Sequence, residues 1–99
     1  IGMIVDTGAT STVLTAADAE RAGFDPSALV FNIPVSTANG TANAARVVAD
    51  EVAIGGIVRQ NLPLLVAEDS RLGQSLLGMN FMGTLAGFDV RGDRLVLRD

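Results

Sequence analysis

The sequence predicts a mainly β, single-domain fold with one or two short helices. Three observations carry that reading. Apolar runs of strand length, rich in Val, Ile and Leu, recur along the chain and are broken by Gly, Asn and Asp. Asn39-Gly40 separates two extended runs, the strongest short-range signal of a hairpin because both central residues of the favoured turn need positive φ. Only the stretches 15–23 and 79–87 combine helix-forming residues with start or stop signals.

Taken in order, residues 1–5 form a continuous apolar run of strand length, ended by Asp6 and Gly8. Residues 12–14 read as a second short strand. "TAADAERAG" then offers Thr15 as N-cap, Asp18 three residues later as capping-box partner, and Gly23 as the stop, giving a helix of about two turns. Residues 31–38 and 41–48 are the arms of the Asn39-Gly40 hairpin. In 48–54 the apolar Val48, Val52 and Ile54 alternate with charged Glu51. Gly55-Gly56 turns the chain into two further strands, 57–61 and 64–67. "EDSRLGQS" at 68–75 reads as a polar loop, followed by the buried-looking Leu76-Leu77-Gly78. "MNFMGTLAG" suits a short helix stopped at Gly87, and strands at 88–90 and 95–97 bracket a turn at Arg91-Gly92-Asp93.

Composition bounds the function. The chain has 99 residues, enough for one core and no second lobe, and 48% of them are apolar, which excludes disorder. Its formal charge is −4, and its seven cations are all Arg, placed singly at Arg21, Arg46, Arg59, Arg71, Arg91, Arg94 and Arg98. No basic stripe exists, so no nucleic-acid partner is expected. The longest apolar segments, such as "LPLLVA" at 62–67, fall far short of the roughly 20 residues a spanning helix needs, so no membrane contact is expected from this segment. No cysteine is present, and the compartment stays open. The chain begins at Ile1 inside a strand, without initiator Met or leader pattern, so a processed product or trimmed piece lacking its N-terminal strands is expected.

The absences narrow the chemistry further. There is no His, Cys, Lys or Tyr, which removes Ser-His-Asp and Cys-His triads, Schiff-base lysines and His-ligated zinc. No Gly-x-Gly-x-x-Gly or Walker loop occurs. Only carboxylates remain as acid and base. Most have an ordinary explanation: Asp50-Glu51 point to opposite faces of a strand, Glu68-Asp69 sit in a polar loop, and the Arg-Gly-Asp at 91–93 is a turn between strands. Met79 and Met82 read as core filler. Asp6 is different. It ends an apolar strand and is followed by Thr7 and Gly8, so a carboxylate meets a hydroxyl and a backbone free of Cβ in a water-poor place. Two such carboxylates side by side share one proton, and one then serves as base on a water while the other serves as acid.

Asp6-Thr7-Gly8-Ala9 with Thr12-Val13-Leu14, and Leu76-Leu77-Gly78 with Asn80 after it, resemble the retropepsin-like aspartic proteases, the single-domain family of retroviral proteases and their bacterial relatives. The likeness covers almost the whole chain, and "TANGT" and "SLLGMNF" look closer to the bacterial members. It implies a β-barrel with a flap hairpin, and an aspartic endopeptidase with no cofactor and no metal, acting on extended peptides or proteins. One chain carries one Asp-Thr-Gly, so the resemblance implies a homodimer in which Asp6 meets its partner's Asp6. It assigns catalysis to Asp6, Thr7 and Gly8, and substrate binding to Ala9, Thr10, Val13 and the flap residues Thr37, Ala38, Asn39, Gly40 and Thr41. Leu76, Leu77 and Gly78 support the site. The pockets are expected to be small and aliphatic, and the pH optimum acidic.

Two departures qualify the likeness. Thr10, Ser11 and Met79 stand where retroviral enzymes carry acids and a paired Arg, so both ends of that ion pair are gone together. The strands before the catalytic loop, which help build the viral dimer, are reduced to residues 1–5, which implies a weaker or different dimer. Bacterial relatives often carry an upstream anchor that would place the domain in the periplasm or otherwise outside the cytoplasm; no residue of this chain shows one. Two other readings stay open: a catalytically inactive peptide-binding or dimerisation module of the same fold, and a structural β domain in which Asp6 caps a strand.

Overall fold

The computed structural model describes residues 2–37, 40–68, 72–92 and 94–99, with Thr37 and Arg94 described by their backbone alone. Strands β1 (Met3–Val5), β2 (Val13–Leu14), β3 (Ile33–Thr37), β4 (Gly40–Ile54), β5 (Ile57–Ala67) and β6 (Ser75–Leu77) form one sheet in the order β1-β6-β2-β5-β4-β3. Strands β7 (Gly87–Arg91) and β8 (Arg94–Arg98) form a separate antiparallel pair. Helix α1 (Ala16–Arg21) follows β2, a single 3₁₀ turn spans Pro26–Ala28, and helix α2 (Met79–Met82) follows β6. The fold is mainly β with two short helices and a curled half-barrel sheet.

The curl has a local cause. At about 3.3 Å per residue, the 15 residues of β4 would outrun the molecule's longest dimension of 35 Å, so the strand bends. Its ladder with β5 runs from Ala44↔Ala67 to Ala49↔Leu62, skips Asp50 and Asn61, and resumes at Glu51↔Gln60. Asn61 takes φ of 54°, a left-handed conformation that Asn tolerates better than most residues. Val48, expected to share a face with Val52 and Ile54, is instead 51% exposed, while Ala49 beside it is buried.

Several boundaries differ from expectation. The runs 57–61 and 64–67 are one strand carrying Pro63 at its centre, tolerated because Pro63 donates nothing to the ladder and its carbonyl is taken by Asn80 Nδ2 at 2.7 Å. Helix α2 ends at Gly83, not Gly87, and Gly87 opens β7. Ser75, read as loop, is the first residue of β6 and fully buried. Gly40 lies in the ladder opposite Thr37, not at the centre of a turn, with φ of 108°. Ala38 and Asn39 lie outside the described residues, as does Asp93 of the Arg-Gly-Asp turn.

Helix α1 forms as expected: the Thr15 hydroxyl accepts the Asp18 N–H at 3.1 Å, and Gly23 past its end has φ of 98°. The core gathers Leu14, Ala19, Leu62, Leu64, Val66, Leu77, Phe81 and Met82 between the helices and the concave sheet. Phe81 and Met82 are the largest fully buried side chains, worth about 2–3 kcal/mol each in removed apolar surface. Met79 packs against this core from its edge.

Candidate active site

Strand β6 runs parallel to β1 and antiparallel to β2, and separates them. The chain therefore leaves the end of β1 at Asp6, crosses over the C-terminal end of β6, and returns down β2. With strands about 4.8 Å apart, the crossing spans two spacings, roughly 10 Å. Residues 6–12 make that crossing directly above Gly78. A Cβ on Gly78 would sit 2.3 Å from the Ser11 carbonyl oxygen and 3.0 Å from that of Ala9, so only glycine lets the loop pass.

The crossing is pinned at every step. The Asp6 N–H donates to the Leu77 carbonyl at 3.0 Å, the Met79 N–H to the Ala9 carbonyl at 2.8 Å, and the Asn80 N–H to the Thr10 carbonyl at 3.0 Å. Thr12, only 2% exposed, donates its hydroxyl to Asn80 Oδ1 at 2.7 Å and accepts the Gly78 N–H at 3.1 Å. The Thr12 N–H also donates to Asn80 Oδ1, at 2.9 Å. Within the loop, the Ala9 N–H bonds the Asp6 carbonyl at 3.1 Å, and the Gly8 N–H donates to Asp6 Oδ1 at 2.9 Å. This last bond orients the carboxylate, and a Cβ on Gly8 would stand 3.3 Å from the same oxygen.

Asp6 is half-buried and opens on a cleft of about 310 Å³. Of the residues expected at the site, Asp6, Gly8, Ala9, Thr10, Val13 and Leu76 line it together. Leu76 is thus part of the floor, while its neighbour Leu77 turns into the core at 3% exposure, as alternation along β6 requires. Thr7 is exposed beside the cleft, and Gly78 lies beneath the loop. Thr41 and Gly40 stand exposed in β4 and do not line the cleft, where the hairpin arm β3 contributes Val35 and Ser36. The side chain of Thr37, and Ala38 and Asn39 entirely, lie outside the described residues.

Sequence reading missed Ser11, Val35, Ser36, Leu65 and Leu72 as lining. Leu65 lies in the apolar run 62–67 and reaches the cleft because β5 pairs with β2, opposite Val13, with its N–H donating to the Thr12 carbonyl at 3.0 Å. Leu72 follows a polar loop and has no local signal. A larger groove of about 620 Å³ lies elsewhere, lined by Met3, Phe24, Val52 and Ile54 among others. Its carboxylates, Asp50 and Glu51, are exposed on β4, and among the described residues no donor loop converges on them, so the smaller Asp6 cleft is the chemical candidate.

The chain matches known proteins along most of its length. Residues 1–81 match the family described as aspartyl protease. An uncharacterized Sinorhizobium protein is 50% identical over 99 residues, which is 100% of this chain and 42% of that protein. An uncharacterized Rickettsia prowazekii protein is 37% identical over 97 residues, 98% of this chain and 41% of its own length. The chain thus spans about two fifths of both relatives. A retropepsin-like aspartic protease from Rickettsia conorii superposes with a TM-score of 0.78 at 36% identity, over 96% of this chain and 77% of that one. The inhibitor-bound EIAV protease gives 0.68 at 20% identity, over 90% and 80%, a likeness of fold alone. With its Asp-Thr-Gly loop crossing above Leu-Leu-Gly and these matches beside it, the chain belongs to the aspartyl protease family and has the retropepsin-like fold.

Proposed function

We propose that the protein is an aspartic endopeptidase, active as a homodimer in which Asp6 of two copies forms the catalytic dyad. The observation that carries this reading is the Asp6 carboxylate held by the Gly8 N–H at the mouth of a cleft, on a loop pinned to β6. Two such carboxylates across a two-fold axis share one proton. The ionised one takes a proton from a water, and that water's oxygen attacks the peptide carbonyl carbon. The protonated one gives its proton to the carbonyl oxygen, and collapse of the tetrahedral species breaks the C–N bond as the amine leaves protonated. The chemistry calls on no metal and no cofactor.

An extended peptide would lie between the loop and the β3–β4 hairpin, its main chain bonded to the hairpin edge and its side chains in pockets. Val13, Val35, Leu65, Leu72 and Leu76 make those pockets aliphatic and of modest size. Among the described lining residues Asp6 is the sole ionisable group, which favours uncharged side chains next to the cut bond.

The test is cleavage of a mixed peptide library at about pH 5 by wild type and by Asp6→Asn, with oligomeric state measured on the same samples. Cleavage by a dimer that Asp6→Asn abolishes supports the proposal, as does a rate that falls through neutrality. A fully active monomer overturns the dyad. A folded dimer that binds peptides and cuts none moves the protein to the inactive binding-module reading.

A further inference from the structure

Ser75 is a hydroxyl-bearing residue with no solvent exposure, set at the start of β6 beside Leu76 and Leu77. An alanine would fill such a place at no polar cost, whereas a buried hydroxyl must be bonded. Its donor and one of its acceptor sites go to the start of helix α1. It donates to Asp18 Oδ2 at 2.5 Å and accepts the Thr15 N–H at 3.0 Å.

Thr15 and Asp18 are the N-cap and third residues of α1, and Thr15 Oγ1 accepts the Asp18 N–H. In an ordinary capping box the acid would reach back to the N-cap N–H itself. Here a serine 57 residues along the chain from Asp18 stands between them and relays the bond. The start of α1 and the start of β6 are therefore one hydrogen-bonded unit. Its O–H···O⁻ link is short and charge-assisted, and the Asp18 side chain is 13% exposed.

That unit sits directly upstream of the site. Ser75 pairs with Met3 in the β1–β6 ladder, Leu76 forms part of the cleft floor, and Leu77 offers its carbonyl to the Asp6 N–H. We propose that Ser75 and Asp18 are positioning residues. The bonded pair sets where β6 lies, and with it the height of the Leu76 floor and the orientation of the Asp6 peptide. The catalytic part of this inference rests on the proposed endopeptidase activity.

The experiment compares wild type with Ser75→Ala, Asp18→Ala, Asp18→Asn and the double alanine variant. Two peptides that differ by one methylene in the side chain packing on Leu76 are cleaved, and kcat/KM is taken per folded dimer. Ser75→Ala and Asp18→Ala are expected to change the ratio between the two peptides about fivefold, roughly the effect of one lost hydrogen bond on placement. The double variant should add nothing further, and Asp18→Asn, whose amide oxygen still accepts, should stay near wild type. Lowered thermal midpoints with an unchanged ratio would show a purely structural role and overturn the proposal.

Asp18→Ala leaves β6 itself intact and serves if Ser75→Ala does not fold. If wild type cuts no peptide, the endopeptidase reading fails by itself, and positioning is read from amide exchange of Asp6. Loss of protection at Asp6 in Asp18→Ala, with β4–β5 amides unchanged, upholds the inference, and unchanged Asp6 exchange overturns it.

Discussion

The Asp6 loop and the β3–β4 hairpin face each other across the cleft and are held in opposite ways. The loop is bonded to β6 and α2 at Asp6, Ala9, Thr10 and Thr12, through partners 66 or 68 residues away for Thr12. The hairpin arm β3 lies at the sheet edge and pairs with β4 alone, from Ile33↔Ala44 to Thr37↔Gly40. One side fixes a carboxylate through the Gly8 N–H and a loop bonded along its length. The other keeps an outer edge that no described strand pairs, the kind of edge to which, on the proposed function, a peptide strand would add. The proposed endopeptidase, which would admit a chain and then hold it in line for attack, calls for both kinds of support.

Changes on the pinned side test this contrast most severely. Asp6→Asn keeps size and the bond from Gly8 but removes the base, so we expect peptide hydrolysis to fall about a thousandfold or more with the melting temperature nearly unchanged; retained turnover would refute the dyad. Gly78→Ala drives a methyl against the Ser11 carbonyl, which backbone cannot easily yield, and should cost more than about 3 kcal/mol in urea unfolding. Thr12→Val keeps the shape but leaves the Gly78 N–H without its acceptor and Asn80 Oδ1 with one donor fewer. We expect a loss of about 2 kcal/mol by the same measurement.

The hairpin side should respond more gently. Gly40→Ala meets open space and suffers only from its φ of 108°, so about 1 kcal/mol of stability is expected to go. Its larger signature should be a raised KM with kcat held; a drop in kcat alone would argue that the hairpin acts in the chemical step. The smallest effect lies outside both regions. Asp25 caps the 3₁₀ turn by accepting the Ser27 hydroxyl at 2.6 Å and N–H at 3.0 Å, and these bonds hold its carboxyl below the usual range. A lowered folded-state value means the benefit is complete above the ordinary carboxylate range and is lost as pH falls through the lowered value. Wild type and Asp25→Ala should therefore differ slightly in urea midpoint at neutral pH and converge in strong acid.

How far the molecule could be read from its residues follows the same division. Asp6 at a strand end and Thr15 opening a helix rest on neighbours in sequence and are found in place, whereas the hairpin arms, expected at 31–38 and 41–48, pair as 33–37 with 40–44, with Gly40 inside the ladder. What escaped depends on distant partners. Ser75 looks like loop because its hydroxyl is satisfied only by residues of α1. Pro63 looks like a strand break because Asn80, which takes its carbonyl, arrives seventeen residues later. Gly83 rather than Gly87 ends α2, since the Gly83 N–H bonds Met79 while Gly87 is claimed by β8. Leu72 reaches the cleft through the fold alone.

The placement of β6 between β1 and β2 also governs the order in which the molecule can fold. The flanking strands are not neighbours in the sheet, and apart from bonds within the loop and the Leu65 N–H on the Thr12 carbonyl, the loop acquires its partners only when the segment from Ser75 to Asn80 arrives, 68 residues beyond Thr12 for Asn80. Closing so long a stretch is entropically dear, whereas β4 and β5 meet through a two-residue turn at Gly55-Gly56. We expect pulse-labelled exchange during refolding to protect β4–β5 amides well before that of Asp6, and the opposite order would contradict it. A nascent chain would then hold its acid in an unformed loop until almost all of the domain had been made, so the arrangement around Asp6 comes into being late and all at once.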